Sequence, residues 1–233
     1  MDNRSPTLPG SLAIQLAGQA MHLLPDRAVF WPAQNALLLA DVHLGKDTVF
    51  RRQGLAVPAG VLEKDLARLD ALLSQTRADR LIVLGDWVHA PPFGDEHWPE
   101  QIEAWRARHG KLAIDLVLGN HDRQLSRWLE RWQITPHAGA LDLEGLRLVH
   151  EPDDAQGKPG LSGHLHPGIR LRQRRESLRL PAFLLGGEHL VLPAFGRFTG
   201  LMDSVDFPAR RAFVTSGQQV HEIPLGPHLK DQS

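Results

Sequence analysis

Short apolar runs that stop abruptly on a glycine or a polar residue recur along this chain, and they constrain its fold more than any other feature. Leu37 to Ala40 ends at Asp41, Leu81 to Leu84 at Gly85, and Ile114 to Leu118 at Gly119. Each reads as a buried strand feeding a loop. Leu146 to Val149 before His150, and Leu161 just before Gly163, repeat the pattern. Helical spacing fills the intervals: Val61 to Leu73 puts Leu62, Leu66, Leu69 and Leu73 on one face, and Trp98, Ile102 and Trp105 do the same before Gly110. A third helix is expected from Asp122 to Trp132, with Leu125, Trp128, Leu129 and Trp132 toward the core. Residues 11–40 read as a meander of short strands broken at Gly18, Pro25 and Pro32, and residues 169–223 as at least four more strands. Alternating strands and helices between β-rich ends specify an α/β sandwich. At 233 residues one domain is expected over 1–233, with 1–10 flexible, 224–233 a tail, and Glu151 to Gly160 a mobile surface loop.

The residues at the strand exits are chemically uniform. In order they are Asp41 and His43, Asp86, Asn120 with His121 and Asp122, His150, then His164 and His166. All are oxygen or imidazole donors or neighbours of one. In an extended strand residues i and i+2 share a side, so Asp41 is expected to pair with His43 and His164 with His166. Asp86 can give an oxygen to each of two cations. The donors divide into Asp41, His43, Asp86 and His166 for one ion, and Asp86, Asn120, His150 and His164 for the other. The chain has thirteen histidines and no cysteine, which excludes thiolate zinc, iron–sulfur clusters, disulfides and a cysteine nucleophile. An oxygen and imidazole set suits two divalent ions, Mn²⁺, Fe²⁺ or Zn²⁺. Gly85, Gly119 and Gly163 precede these donors, where a sharp turn and close backbone approach are needed. With 26 basic and 27 acidic residues the formal net charge is −1, which excludes a globally basic nucleic-acid protein but leaves room for a local groove. No apolar run approaches the roughly 18 residues of a membrane span, and the first ten residues carry no signal-peptide pattern, so a cytoplasmic protein without a membrane partner is expected.

The series DVH, GDWVH, GNHD, His150 and GHLH resembles the metallophosphoesterase (calcineurin-like phosphoesterase) superfamily. More narrowly, "LADVHLGK", "GLAVPAG" and "LVLPAFGRFTG" are similar to the bacterial DNA-ligase-associated metallophosphoesterases. The first resemblance implies an α/β/β/α sandwich, a β-sandwich flanked by helices. The second implies a manganese-dependent endonuclease acting on single-stranded DNA in repair, beside a ligase, a helicase and a nuclease of one gene cluster. It also implies that His121 protonates the leaving oxygen, with Asp122 holding its tautomer and Asn120 sharing the oxyanion charge. His89, three residues beyond Asp86, is a candidate for the scissile phosphate or for a supporting contact. Arg52, Arg123, Arg170 and Arg172 are candidate substrate contacts; Arg51, Arg174, Arg175 and Arg179 extend the basic segments. Phe93, Phe195 and Phe198, among Gly and Pro, are candidates to stack on bases. A phosphatase or small-nucleotide phosphodiesterase is the alternative on the same fold, and a non-catalytic interaction module a remote one, because function resides in the pocket walls.

Overall fold

The computed structural model describes residues 7–58, 60–173, 176–203 and 205–225. Arg174, Arg175 and most of the two expected flexible ends lie outside them. The chain begins with an antiparallel meander, β1 (Leu12–Leu16), β2 (Gln19–Leu24), β3 (Ala28–Trp31) and β4 (Ala36–Leu39). It then turns parallel: β5 (Arg80–Leu84), β6 (Ala113–Val117) and β7 (Thr135–His137) add in sequence beside β4, giving a seven-stranded sheet in simple order. The crossovers carry α1 (Lys46–Arg52) and α2 (Val61–Thr76), then α3 (Trp98–Arg108), then α4 (Ser126–Arg131).

The second half supplies β8 (Ala140–Leu143), β9 (Leu146–Val149), β10 (Gly160–Ser162), β11 (Gly168–Gln173), β12 (Glu176–Gly186), β13 (His189–Val191), β14 (Arg211–Thr215) and β15 (Val220–Ile223). Their order is β15-β14-β12-β13-β10-β9-β8, with β11 paired to the free length of β12 as a hairpin.

Alternation along β4 and β5 decides how the layers meet. Leu37, Leu39, Leu81 and Val83 turn outward onto Leu66, Leu69, Trp98 and Trp105 of the helices. Leu38, Ile82 and Leu84 turn inward onto Leu148, Phe183 and Phe213 of the second sheet. Strands buried on both faces carry unbroken apolar runs, which is why these segments lack a polar side. The expected α/β sandwich of two sheets is therefore present, its four α-helices among the described residues all lying in the crossovers of the first sheet. Two local expectations differ. The helix expected from Asp122, α4, begins only at Ser126, because the Asp122 carboxylate accepts the backbone N–H of Gly119 (3.0 Å) and so folds residues 119–125 into turns. The 151–160 segment is built rather than loose: Pro152–Ala155 forms a 3-10 turn with Ala155 buried, and Arg147 donates its N–H to the Pro159 carbonyl.

His189 shows the cost of the inter-strand packing. It opens β13, is 9% exposed, and its Nε2 lies 2.9 Å from Ser162 Oγ in β10. Burial holds its imidazole down to about 4, against 6.5 ordinarily. The unfolded chain therefore binds the proton first as pH falls, so stability is full above pH 6.5 and declines toward pH 4. The loss from this residue is on the order of 3 kcal/mol. Denaturant unfolding across that window is expected to show a markedly flatter pH dependence for His189→Gln than for the wild type.

Candidate metal centre

The strands of both sheets release their loops at one edge. The Asp41 N–H donates to the Gly85 carbonyl (3.1 Å), His43 to Asp86 (2.9 Å) and Leu44 to Trp87 (3.0 Å), so the loops after β4 and β5 continue side by side. Across the sandwich the Gly163 N–H donates to the His150 carbonyl (3.0 Å). The backbone here is not extended, as the i, i+2 expectation required. Asp41 (φ 53°), His43 (φ 51°), Asp86 (φ 53°), His164 (φ 68°) and His166 (φ 46°) are all left-handed. Each such residue costs roughly 1–2 kcal/mol, least for Asp and Asn. The alternate left-handed residues crimp the chain so that Asp41 and His43 still converge, while His164 turns to His150 and His166 to His43. Space is equally tight: a Cβ on Gly85, itself at φ 83°, would run into the His150 ring, and one on Gly119 into the Asp86 carboxylate.

Two carboxylates organise the centre in the same way. Asp86 Oδ1 accepts the His121 backbone N–H at 3.0 Å, and Asp41 Oδ2 accepts that of His164 at 2.9 Å. Their other oxygens turn to imidazoles. Asp86 Oδ2 lies 3.7 Å from His43 Nε2, 3.6 Å from His150 Nε2 and 3.8 Å from His121 Nε2. Asp41 Oδ1 lies 3.2 Å from His166 Nε2 yet has no hydrogen-bond partner. The two histidine sets are compact: His43 Nε2 sits 3.4 Å from His166 Nε2, while His150 Nε2 sits 3.1 Å from both Asn120 Oδ1 and His164 Nδ1. Asp86 presents a single oxygen, Oδ2, to both sets, where one oxygen for each was expected, because Oδ1 is occupied by the backbone.

Asp41, Asp86, His43 and His150 are buried. Burial, followed by Lys46 and the neighbouring imidazoles, holds His43 down to about 2; burial, Lys46 and His121 hold His89 down to about 4. Burial raises Asp86, and Asp41 raises it further. Neutral imidazoles beside crowded carboxylate oxygens form an environment that a divalent cation relieves on both counts. Asp41, His43 and His166, and likewise Asp41, Asp86 and His150, place donor atoms within 4.8 Å of one another. With the unpartnered Asp41 Oδ1, these residues fit metal ions.

The crystal structure of Pseudomonas putida nuclease MPE superposes with a TM-score of 0.78 and 38% sequence identity, covering 91% of this chain and 100% of that one. The chain belongs to the metallophosphoesterase superfamily. As such, this metallophosphoesterase is a hydrolase of phosphoester bonds. YfcE, a phosphoesterase from E. coli, aligns at 18% identity with a TM-score of 0.44, over 82% of this chain and 99% of that one. No protein-family model and no curated protein matches the present chain.

The remaining expected residues divide sharply. His121 and His89 stack at 5.0 Å, and His121 Nδ1 lies 2.6 Å from the His89 carbonyl. That carbonyl, and not Asp122, fixes the tautomer: it can only accept, so Nδ1 carries the proton. Asp122 is instead buried under the loops, where it accepts the N–H groups of Asp86 (2.7 Å) and Gly119; burial raises its carboxyl to about 6. Arg170 and Arg179, cross-strand neighbours in β11 and β12, both close on Asp203, a partner that is remote in sequence. Arg172 and Arg123 are exposed, and Arg52 pairs with Glu96 at 3.2 Å. Phe195 is fully buried, with the Arg68 guanidinium 4.1 Å from its ring centroid, so it does not stack on bases. Phe198 is half-buried against Phe50, and Phe93 is exposed. Lys46 was missed. Its ammonium feels both Asp41 and Asp86, and the only sequence signal was its place directly behind the first metal-binding loop.

Asp122→Ala leaves the Asp86 and Gly119 N–H groups buried without an acceptor. Denaturant unfolding should show a loss on the order of 3 kcal/mol, and calorimetric titration a weaker affinity for Mn²⁺. Intact Mn²⁺ affinity would mean that the loops keep their shape without this carboxylate.

Proposed function

We propose that this chain is a binuclear phosphodiesterase that cuts single-stranded DNA internally, preferring Mn²⁺, and works in cytoplasmic DNA repair beside a ligase, a helicase and a nuclease. The observation that carries the binuclear reading is Asp86 Oδ2, which faces ring nitrogens of two separate donor sets at 3.6 and 3.7 Å. The 38% identical P. putida protein, a nuclease, supports a nucleic acid as the substrate.

In this reading Asp41, His43, Asp86 and His166 hold one ion, and Asp86, Asn120, His150 and His164 the other. Bound there, the pair would supply an activated water and offset the charge gathering on the phosphate. The protein's own groups do the rest. His150 donates Nδ1–H to the Leu84 carbonyl (2.9 Å), which leaves Nε2 an acceptor 3.1 Å from Asn120 Oδ1, so the two acceptors converge as a cation would need, and Lys46 adds positive potential beside Asp41 and Asp86. His121 donates Nδ1–H to the His89 carbonyl and directs Nε2 toward Asp86 Oδ2. Once protonated, Nε2 holds the proton that passes to the departing sugar oxygen, and the carbonyl steadies the imidazolium through Nδ1–H.

A circular single-stranded plasmid incubated with Mn²⁺ is expected to be linearised and then fragmented, and Asp86→Ala to leave it intact. Intact circles alongside rapid hydrolysis of a mononucleotide ester would replace this reading with a phosphatase. His121→Ala is expected to lower kcat on DNA by about 10²–10⁴ but much less on a p-nitrophenyl ester, whose leaving group needs no proton. Equal losses on the two substrates would remove the acid role.

A further inference from the structure

Phe93 is 70% exposed, the most exposed large apolar side chain among the described residues. It is nevertheless held in place. Pro91 and Pro92 precede it, fixing two φ angles in the short link to His89. The Phe93 N–H donates to Glu96 Oε2 at 2.9 Å, and the same oxygen accepts the indole N–H of Trp98 at 3.0 Å. Trp98, the first residue of α3, is 4% exposed in the core between the helices and the first sheet, so the loop is anchored to the interior. The other Glu96 oxygen takes Arg52 at 3.2 Å, and the Arg52 guanidinium lies 5.3 Å from the Phe93 ring centroid. An apolar ring is thus presented to solvent on a preorganised mount, with a cation against it. Water gives no reason to build such a mount; a flat, π-rich ligand attached to an anion does.

We propose that Phe93, backed by Arg52, is a stacking platform for the base of an unpaired nucleotide, while Arg52 attracts its phosphate. The inference rests on the single-stranded DNA reading above and deepens it. Phe93 is four residue steps along the chain from His89 at the centre, so its Cα lies within roughly 14 Å of that of the histidine. That distance places the platform within a few nucleotides of the phosphate being cut. A base inside a duplex has both faces covered by its neighbours, so the platform also selects against paired DNA.

The test compares kcat/KM, with Mn²⁺, on an oligodeoxythymidine and on a chain of equal length whose sugars carry no bases. The wild type is expected to favour the first about tenfold. Phe93→Trp should keep that preference and Phe93→Ala should nearly erase it. Because the side chain is exposed, neither change threatens the fold. A preference that survives in Phe93→Ala, or a wild type that cuts both chains equally, overturns the platform while leaving the nuclease reading in place. A wild type that hydrolyses bis(p-nitrophenyl) phosphate yet leaves both chains intact overturns the nuclease reading and the platform with it.

Discussion

Two buried carboxylates, each pinned through one oxygen by a histidine's backbone N–H and left open at the other, set the terms for everything around them. Both are buried, and burial raises Asp86, with the neighbouring Asp41 raising it further. Such a pair persists only if its surroundings cannot relax. The sandwich provides that rigidity. β4 and β5 are locked side by side by parallel pairing, sealed on one face by Trp98 and Trp105 and on the other by Phe183 and Phe213. The loops they release have little freedom left.

Support also comes from residues far from the metal donors. The Phe195 and Gly196 N–H groups donate to the carbonyls of Ala40 and Asp41, which fastens the segment after β13 to the first metal-binding loop. Arg68 holds that segment in turn: its guanidinium stacks on Phe195, donates to the Phe195 carbonyl at 3.0 Å and pairs with Asp65 at 2.7 Å. Arg27 reaches the Ala194 carbonyl from the other side. A charged cluster at the same edge of the sandwich therefore acts on the position of Asp41 without touching it.

Much of this was legible in the sequence. Apolar runs ending in donors gave the strands and the edge at which the site lies, because a strand buried on both faces has no other way to look. The conversion from pattern to geometry was less legible. Residue type does not report the sign of φ, so the convergence of Asp41 with His43 was anticipated for the wrong reason. Partners distant in sequence escaped too. Nothing near Arg170 announces Asp203, nothing near His121 announces the His89 carbonyl, and Phe195, set among Gly and Pro, looks like a loop residue until Arg68 covers it.

The left-handed residues carry one more implication. That region of backbone space disfavours most side chains and accepts Gly, Asn, Asp and His most readily. At Asp41, His43, Asp86, His164 and His166 the tolerated replacements thus consist largely of other metal ligands. A lineage that keeps these loops can exchange oxygen for nitrogen donors one position at a time, and so change its choice of ion, without first redesigning its fold.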